Sequence, residues 1–363
     1  MTTKPTIVST FSGCGGLDLG LKEVGFEPIW ANDFSKEAVD TYTHNLGDHI
    51  VHGDITEIDP FTDASIPDGD LVTGGFPCQD FSMIWKRPGL DGKRGTLYQN
   101  FRDFVAAKQP KAFIAENVKG LLTANKHKAI QTIIEDLEAV EPGYIVKPRL
   151  YNFAEYGVPQ FRERVLIVGI RRDTGFDFKH PAPTHGPRGD MPYKTAGEAL
   201  KDVEKVPFNN NHMKIMPRTV EVLKRIPEGQ NFTAIPKDDP FYVKGMISHV
   251  YRRLHRNEPS KTLIAGGGGG TWGYHYEENR ALTNRERARI QSFPDDFEFL
   301  GSNTEVRRQI GNAVPPVGMH AIGERLMNLY TGNYTPVDLE EQHAHLQTLT
   351  IKQRLALADQ EAD

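Results

Sequence analysis

The sequence predicts an α/β fold, a parallel sheet covered by helices, joined to a second, smaller and irregular domain. Three observations lead there. Short apolar runs alternate with helical patterns through the first half of the chain. From His180-Pro181-Ala182-Pro183 to about Gly270 the apolar periodicity weakens, and Pro, Asn, Gly and charged residues dominate. Regular patterning then returns near Thr283.

The runs at 6–11, 28–32, 70–73, 112–115, 144–147 and 165–170 are bounded by turn residues and read as strands. Apolar residues at helical spacing mark helices over 17–24, 36–45, 98–108 and 126–139. Two more follow at 283–292 and, after Pro315-Pro316, at 317–330. Beyond Thr331 the chain is polar, a peripheral helix or a loose tail. The five glycines Gly266–Gly270 suit a mobile loop or a close backbone approach equally.

With 363 residues the chain can bury a large core and form two domains. Its two cysteines, Cys14 and Cys78, exclude a disulfide framework and a cysteine-based zinc site, and no metal is expected. No apolar run approaches the roughly 20 residues that span a bilayer, and the N-terminus is not a signal peptide. A reducing, cytoplasmic compartment follows as the expectation. The net charge of −5 argues weakly against a nucleic-acid partner. The distribution argues for one, because local stripes set the field a polyanion meets. Lys86, Arg87, Lys93 and Arg94 form one basic cluster; Arg252, Arg253, His255, Arg256 and Lys261 form another. Arg285, Arg287, Arg289, Arg307 and Arg308 form a third, which solvated helix faces would explain equally.

In Gly74-Gly75-Phe76-Pro77-Cys78-Gln79-Asp80-Phe81-Ser82, a strand ends in a turn stiffened by Gly and Pro that presents one thiol. Most lone cysteines are buried small hydrophobes, but this placement favours a nucleophile. The segment from Phe11 to Asp18 (FSGCGGLD) follows the first strand and opens a helix, so its glycines let the backbone approach a ligand. Asp33 comes 20 residues after Gly13, where an acidic side chain can accept from ribose hydroxyls. Asp18 replaces the third glycine of the dinucleotide fingerprint and disfavours a pyrophosphate. A nucleoside without phosphates, S-adenosyl-L-methionine, fits better, with Phe34 stacked on its adenine. On its own such a turn also merely joins a strand to a helix. Asp33, Phe34 and Gly53-Asp54-Ile55 after the third strand favour the cofactor.

Glu116, closing another strand in Ala115-Glu116-Asn117-Val118, is expected at the same sheet edge as Cys78, as a proton donor or as a capping or salt-bridged residue. Arg162 and Arg164 would share one strand face and suit carbonyl or phosphate oxygens, or else pair with Glu163 at the surface.

In this order, FSGCGGLDLG, Asp33-Phe34, GDI, GGFPCQDFS, ENVKGLL, QFRER, RALTNRERARIQSFPDDF and QIGNAVPP resemble the DNA (cytosine-5) methyltransferase family, over roughly residues 6 to 330. The compact bacterial or phage restriction-modification type is the nearest in arrangement. The resemblance implies a Rossmann-like, S-adenosylmethionine-dependent catalytic domain at 1–182, completed by 308–331. It also implies a target-recognition domain at 183–307 and a C-terminal tail at 332–363. Cofactor contacts are implied for Phe11, Gly13, Gly15, Gly16, Leu17, Asp33, Phe34, Asp54, Ile55, Gly75, Pro77, Leu97, Asn312 and Ala313.

The implied chemistry is attack of Cys78 on C6 of cytosine, with Glu116 at N3, Arg164 at O2 and Arg162 on nearby ring or phosphate groups. The target base must be flipped from the duplex at about a few kcal/mol. Residues 82–94 would close over it, with Ser82, Lys86, Arg87, Arg252 and Arg253 on DNA. Met83, Ile84 or Trp85 would fill the vacated stack, or else pack the loop. Cys14 is given no nucleophilic role. Double-stranded DNA with a short palindromic site is the implied partner, a cognate restriction endonuclease is compatible with it, and a monomer is expected.

Two rivals remain. The tRNA-methylating branch shares PCQ and ENV, but about 65 residues between His185 and Tyr251, rich in polar and basic side chains, suit a DNA groove. A non-catalytic DNA-binding regulator would not need Cys78, Glu116, Arg162 and Arg164 together.

Overall fold

The computed structural model describes residues 4–77, 97–244, 250–266 and 273–362. They form two compact units, one of residues up to Asn152, Glu163–Pro183 and Met319 onwards, the other of Phe153–Arg162 and Thr184–Gly318.

The chain runs through β1 (Thr6–Thr10), α1 (Gly16–Glu23), β2 (Glu27–Asp33), α2 (Lys36–Leu46) and β3 (Ile50–His52). Next come β4 (Leu71–Gly74), α3 (Leu97–Lys108), β5 (Ala112–Val118), α4 (Lys128–Glu138) and β6 (Tyr144–Asn152). β7 (Gln160–Phe161), β8 (Glu163–Arg171), α5 (Ala196–Leu200), α6 (Pro217–Leu223) and β9 (Ser260–Lys261) follow. The chain closes with α7 (Asn284–Ile290), α8 (Asn303–Asn312), α9 (His320–Thr331), α10 (Leu339–Thr348) and α11 (Ile351–Glu361).

In the first unit seven strands make one sheet in the order β3-β2-β1-β4-β5-β8-β6. The first five are mutually parallel, whereas β8 runs antiparallel to both its neighbours. A parallel β6–β8 pair would need a crossover of a dozen or more residues; the chain between them, 153–162, suffices only for an antiparallel return. β6 continues to Asn152, past the expected end at 147, because its charged residues are buried with partners. Lys147 reaches Asp177 at 3.0 Å and the Phe178 carbonyl at 2.8 Å; Arg149 reaches Asp359 at 3.0 Å and the Pro181 carbonyl at 2.8 Å.

Alternation along β2 shows that both sheet faces are covered. Trp30 packs on Phe104 of α3, in a core with Phe101, Phe113, Ile130, Ile134 and Leu137. Its neighbour Ala31 packs with Val39, Tyr42 and Leu46 of α2. The C-terminal segment forms α10 and α11; Ile351 enters the main core, and Arg354 bonds Glu138 at 2.6 Å.

The second unit has little regular structure, and its one described ladder is the two-residue pair β7–β9. Small apolar clusters fill it, such as Leu200, Leu254, Leu263, Leu282 and Ile290. Buried arginines satisfy its irregular backbone. Arg285 donates to the carbonyls of Phe208 (3.2 Å), Pro294 (3.0 Å) and Phe297 (2.6 Å). Arg253 donates to those of Leu223 (2.9 Å), His275 (2.8 Å) and Glu278 (3.0 Å) and to the Asn279 side chain. The third basic cluster is therefore neither a solvated face nor a uniform field, since Arg285 and Arg287 are fully buried. Among the described residues no helix is long and apolar enough to cross a membrane.

Replacing Arg285 by Met keeps its apolar stem but strands the buried Phe297 carbonyl and the partly buried carbonyls of Phe208 and Pro294. Urea unfolding should show the second unit weakened by about 3 kcal/mol or more. A loss under about 1 kcal/mol would mean that water replaces the guanidinium easily.

Candidate active site

Strand order reverses between β1 and β4, and ligands of open α/β sheets bind at such a point, beyond the carboxyl ends of the strands. Here the reversal lies between the glycine turn after β1 and the Gly75–Pro77 turn after β4. Phe11, Gly13 and Gly15 all take positive φ, at 53°, 57° and 92°. A Cβ on Gly15 would lie 2.3 Å from Leu46 Cδ1, so neither the conformation nor the space admits another residue. Gly16 begins α1, and Leu17 is buried within it.

The turn is tied to β2. Ser12 N–H donates to the Asn32 carbonyl at 2.9 Å, and Gly13 N–H to Asp33 Oδ2 at 2.7 Å. Asp33 Oδ1 accepts from Ser35 N–H at 2.8 Å, so the carboxylate is clamped between two backbone donors. Each oxygen can still accept from a ribose hydroxyl. Beside it the Phe34 ring is 75% exposed, an unusual state for so large an apolar group. Asn32 Nδ2 donates to the carbonyls of Val51 and Gly53 and so shapes the next loop. There Asp54 caps a short 3₁₀ turn through Thr56 N–H, and Ile55 is buried. Cβ atoms on Gly13 and Gly53 would meet nothing within 4 Å. An acidic acceptor, an exposed ring and two open glycine backbones fit an adenosine-bearing cofactor. Cys14 is buried, and burial together with Asp33 pushes its thiol up to about 12, which leaves it inert.

Across the reversal, β5 ends with two polar side chains, Glu116 and Asn117. In the ladder Glu116 stands opposite Leu166, and Arg164 lies two residues along β8 on the same face, a diagonal pair. Arg164 Nε bonds Glu116 Oε1 at 2.8 Å, while Glu163, the alternative partner considered for the arginines, pairs with Lys119. Glu116 Oε2 would lie 3.2 Å from a Cβ on Gly75, so the carboxylate sits against the start of the Gly75–Pro77 turn. Asn117 Nδ2 donates to the Phe76 carbonyl at 2.9 Å and pins that turn from the buried side. Asn117 lies within the ENV motif, whose sequence alone assigns it no role. The signal was an amide closing an apolar strand, beside a carboxyl assigned to chemistry. Pro77 is exposed, and Leu97 is half-buried at the start of α3. Cys78, Ser82, Lys86 and Arg87 lie outside the described residues.

Two assignments need correction. Arg162 does not share a strand face with Arg164: it falls between β7 and β8, within the second unit. It is fully buried and donates to the carbonyls of Leu263 (3.3 Å), Gly311 (2.9 Å) and Asn312 (3.4 Å), so it braces the backbone rather than facing a ring or a phosphate. Arg253, expected on DNA, is likewise buried, and its Nη1 and Nη2 groups bond carbonyls and the Asn279 side chain. Arg252 remains half-buried, on a cavity of about 50 Å³ with His255, Ser260 and Lys261. Asn312 and Ala313 end α8 in the second unit, where Gln291 Nε2 holds the Ala313 carbonyl at 2.9 Å. Among the described residues no group of three or more His, Cys, Asp or Glu is placed to hold a metal.

The sequence profile of C-5 cytosine-specific DNA methylases matches residues 5–328. This chain belongs to that family. Its members are S-adenosylmethionine-dependent DNA (cytosine-5) methyltransferases, and so is this enzyme. The chain is 62% identical to the type II methyltransferase M.NgoFVII of Neisseria gonorrhoeae, over 98% of this chain and 95% of the relative. It is 43% identical to M.BbvI of Brevibacillus brevis, covering 88% and 90% of the two chains. It is 32% identical to the DNA (cytosine-5-)-methyltransferase M.ApeKI of Aeropyrum pernix, covering 88% and 97%. A putative DNA modification methyltransferase from an E. coli prophage shares the fold, with a TM-score of 0.69 at 23% identity over 90% of this chain and 99% of that one.

Removing the Asn117 amide should free the Phe76 carbonyl and let the turn before Cys78 drift. In Asn117→Ala, kcat should fall roughly 100-fold, while the dissociation constant of S-adenosylmethionine stays within about twofold. Single-turnover methylation and calorimetry separate the two; an unchanged kcat would leave Asn117 a purely structural amide.

Proposed function

We propose that this methyltransferase modifies one cytosine within a specific duplex-DNA site, using Cys78 as nucleophile and Glu116 with Arg164 as the polar frame of the flipped base. The observation that supports this most is the Glu116–Arg164 pair, held against Gly75 three residues before Cys78. The cysteine thiolate adds to C6 of cytosine, forming the S–C6 bond and leaving C5 electron-rich, as an enamine. A proton passed through Glu116 to N3 draws off the developing charge, while Arg164 presents its remaining N–H groups to the O2 carbonyl. S-adenosylmethionine, when bound, would supply an electrophilic methyl group: C5 would form the C–CH3 bond as the S–CH3 bond breaks, and the neutral thioether S-adenosylhomocysteine would leave. Loss of the C5 proton to a base then drives elimination of the Cys78 thiolate and restores the aromatic ring. Asp33 and Phe34 hold the adenosine end, and the open backbone at Gly13 and Gly53 admits it.

Arg162 enters this reading as a positioning residue: its guanidinium fixes the 311–312 and 263 backbone. The second unit, irregular and carrying Arg252, Arg256 and Lys261, supplies target recognition. The type II names of the Neisseria and Brevibacillus relatives support a restriction-modification role, protecting host DNA from a cognate endonuclease in the cytoplasm.

Base-resolution conversion sequencing of a mixed-sequence plasmid incubated with protein and S-adenosylmethionine should reveal protected cytosines at one recurring site. Uniform conversion of the plasmid, together with methyl transfer to tRNA, would overturn the DNA reading. Cys78→Ala should abolish transfer yet still bind DNA and cofactor, and retention of more than about a few per cent of wild-type turnover would remove Cys78 as nucleophile. Asp33→Ala should weaken cofactor binding by tenfold or more, on the order of one charge-assisted hydrogen bond, with DNA affinity little changed.

A further inference from the structure

Asn32, next to last in β2, is 1% exposed, and its side chain completes a ladder that the backbone leaves unfinished. In the parallel β2–β3 pair Ala31 N–H donates to the His49 carbonyl at 3.0 Å, and Gly53 N–H donates to the Asp33 carbonyl at 3.1 Å. Continued by one step, this register would bring Ser35 N–H to the Gly53 carbonyl. Ser35 N–H has turned to Asp33 Oδ1 instead, at 2.8 Å, where it helps to clamp the carboxylate. The Asn32 amide takes its place. Nδ2 donates to the Gly53 carbonyl at 3.1 Å and to the Val51 carbonyl at 3.0 Å. Among the described residues no other group donates to the Gly53 carbonyl.

We propose, on the footing that the glycine turn and the loop after β3 bind S-adenosylmethionine, that Asn32 is a positioning residue for cofactor selectivity. Through the Gly53–Asp54 peptide it holds Asp54 at a fixed offset from Asp33, so that a purine carrying an amino group is accepted there and one carrying an oxo group is refused.

The Gly53 carbonyl and Asp54 N–H share one rigid trans peptide plane. Glycine imposes no orientation on that plane, and a Cβ at 53 would meet nothing within 4 Å, so packing at that position imposes none either. Other ties join the same segments but leave the plane free to turn. Gly53 N–H belongs to the preceding peptide. His52 Nε2, 3.1 Å from the Phe34 carbonyl, makes an exposed bond that water replaces easily. Ile55, in the main core, anchors the far side of the turn. The direction of the 53–54 plane between these anchors therefore comes from the Asn32 amide. Beyond the plane stands the exposed Asp54 carboxylate. Its Oδ1 accepts from Thr56 N–H at 3.0 Å and from Thr56 Oγ1 at 2.8 Å, and its Oδ2 has no bond to a described residue. A carboxylate only accepts hydrogen bonds, so Oδ2 favours an exocyclic amino group and repels a carbonyl oxygen at the same point. Discrimination by one atom needs that point held within about 0.5 Å of its place relative to Asp33. A peptide that turned about Gly53 would carry the carboxylate off its mark while the loop still covered the base.

The test compares S-adenosylhomocysteine with its 6-oxo counterpart, S-inosylhomocysteine, by calorimetry on the full chain, with melting temperatures to confirm folding. Wild type should prefer the amino compound by about tenfold or more. Asn32→Ala should bind S-adenosylhomocysteine about tenfold more weakly, and its preference should shrink to about twofold. Asn32→Ser, which keeps one donor, should fall between the two and serves in place of Asn32→Ala if that variant melts. Asp33→Ala should weaken both ligands alike and keep the preference, as any general loosening of the site would. The selectivity role of Asn32 is overturned if its variants also weaken both ligands alike, or change neither. Equal affinity of the wild type for the two compounds would overturn it without any variant. Normal binding of both by Asp33→Ala would instead overturn the placement of the cofactor, whatever the Asn32 variants do.

Discussion

Every buried carbonyl must find a donor, and the two units meet that demand in different ways. In the first, strand ladders satisfy the backbone, and the side chains at strand ends are left for function. In the second, ladders are nearly lacking among the described residues, and the planar, five-donor guanidinium takes their place. Arg162, Arg253 and Arg285 each donate to at least three carbonyls drawn from two separate stretches of chain. Such struts impose no repeat on the sequence, so the surface loops they hold can vary without loss of the frame.

The same demand shapes the sheet edge that carries Glu116. β5 ends by sending Glu116 and Asn117 to different tasks, because neighbouring strand residues face opposite ways. One carboxylate meets Arg164 across an antiparallel ladder, and one amide holds the Phe76 carbonyl. The reversal of direction at β8 is therefore part of the site's construction, since the diagonal that joins Glu116 to Arg164 depends on this register.

Much of this was legible in the sequence. The glycine turn, Asp33 at the end of its strand and the strand positions in the first unit follow from local apolar pattern and turn chemistry, which act over a few residues. What stayed hidden depends on distant partners. Lys147 and Arg149 looked like the end of a strand because their carboxylates lie at 177, 359 and 361. Arg162 and Arg253 looked like phosphate ligands, since an exposed and a buried arginine read alike until the carbonyls around them are known. The direction of β8 and the Glu116–Arg164 pair belong to the same class, as does the buried carboxylate of Asp18 in α1, which accepts from Ser9 of β1 and Tyr42 of α2.

The interior placement of Cys14 has a practical side. The chain has two sulfhydryl groups, and burial, with Asp33 beside it, pushes the pKa of this one up to about 12. Thiolate absorbance at lower pH, or single alkylation of the folded protein, would thus come from Cys78 alone. A mass label taken up by the folded natural chain would therefore report on position 78 without prior mutagenesis.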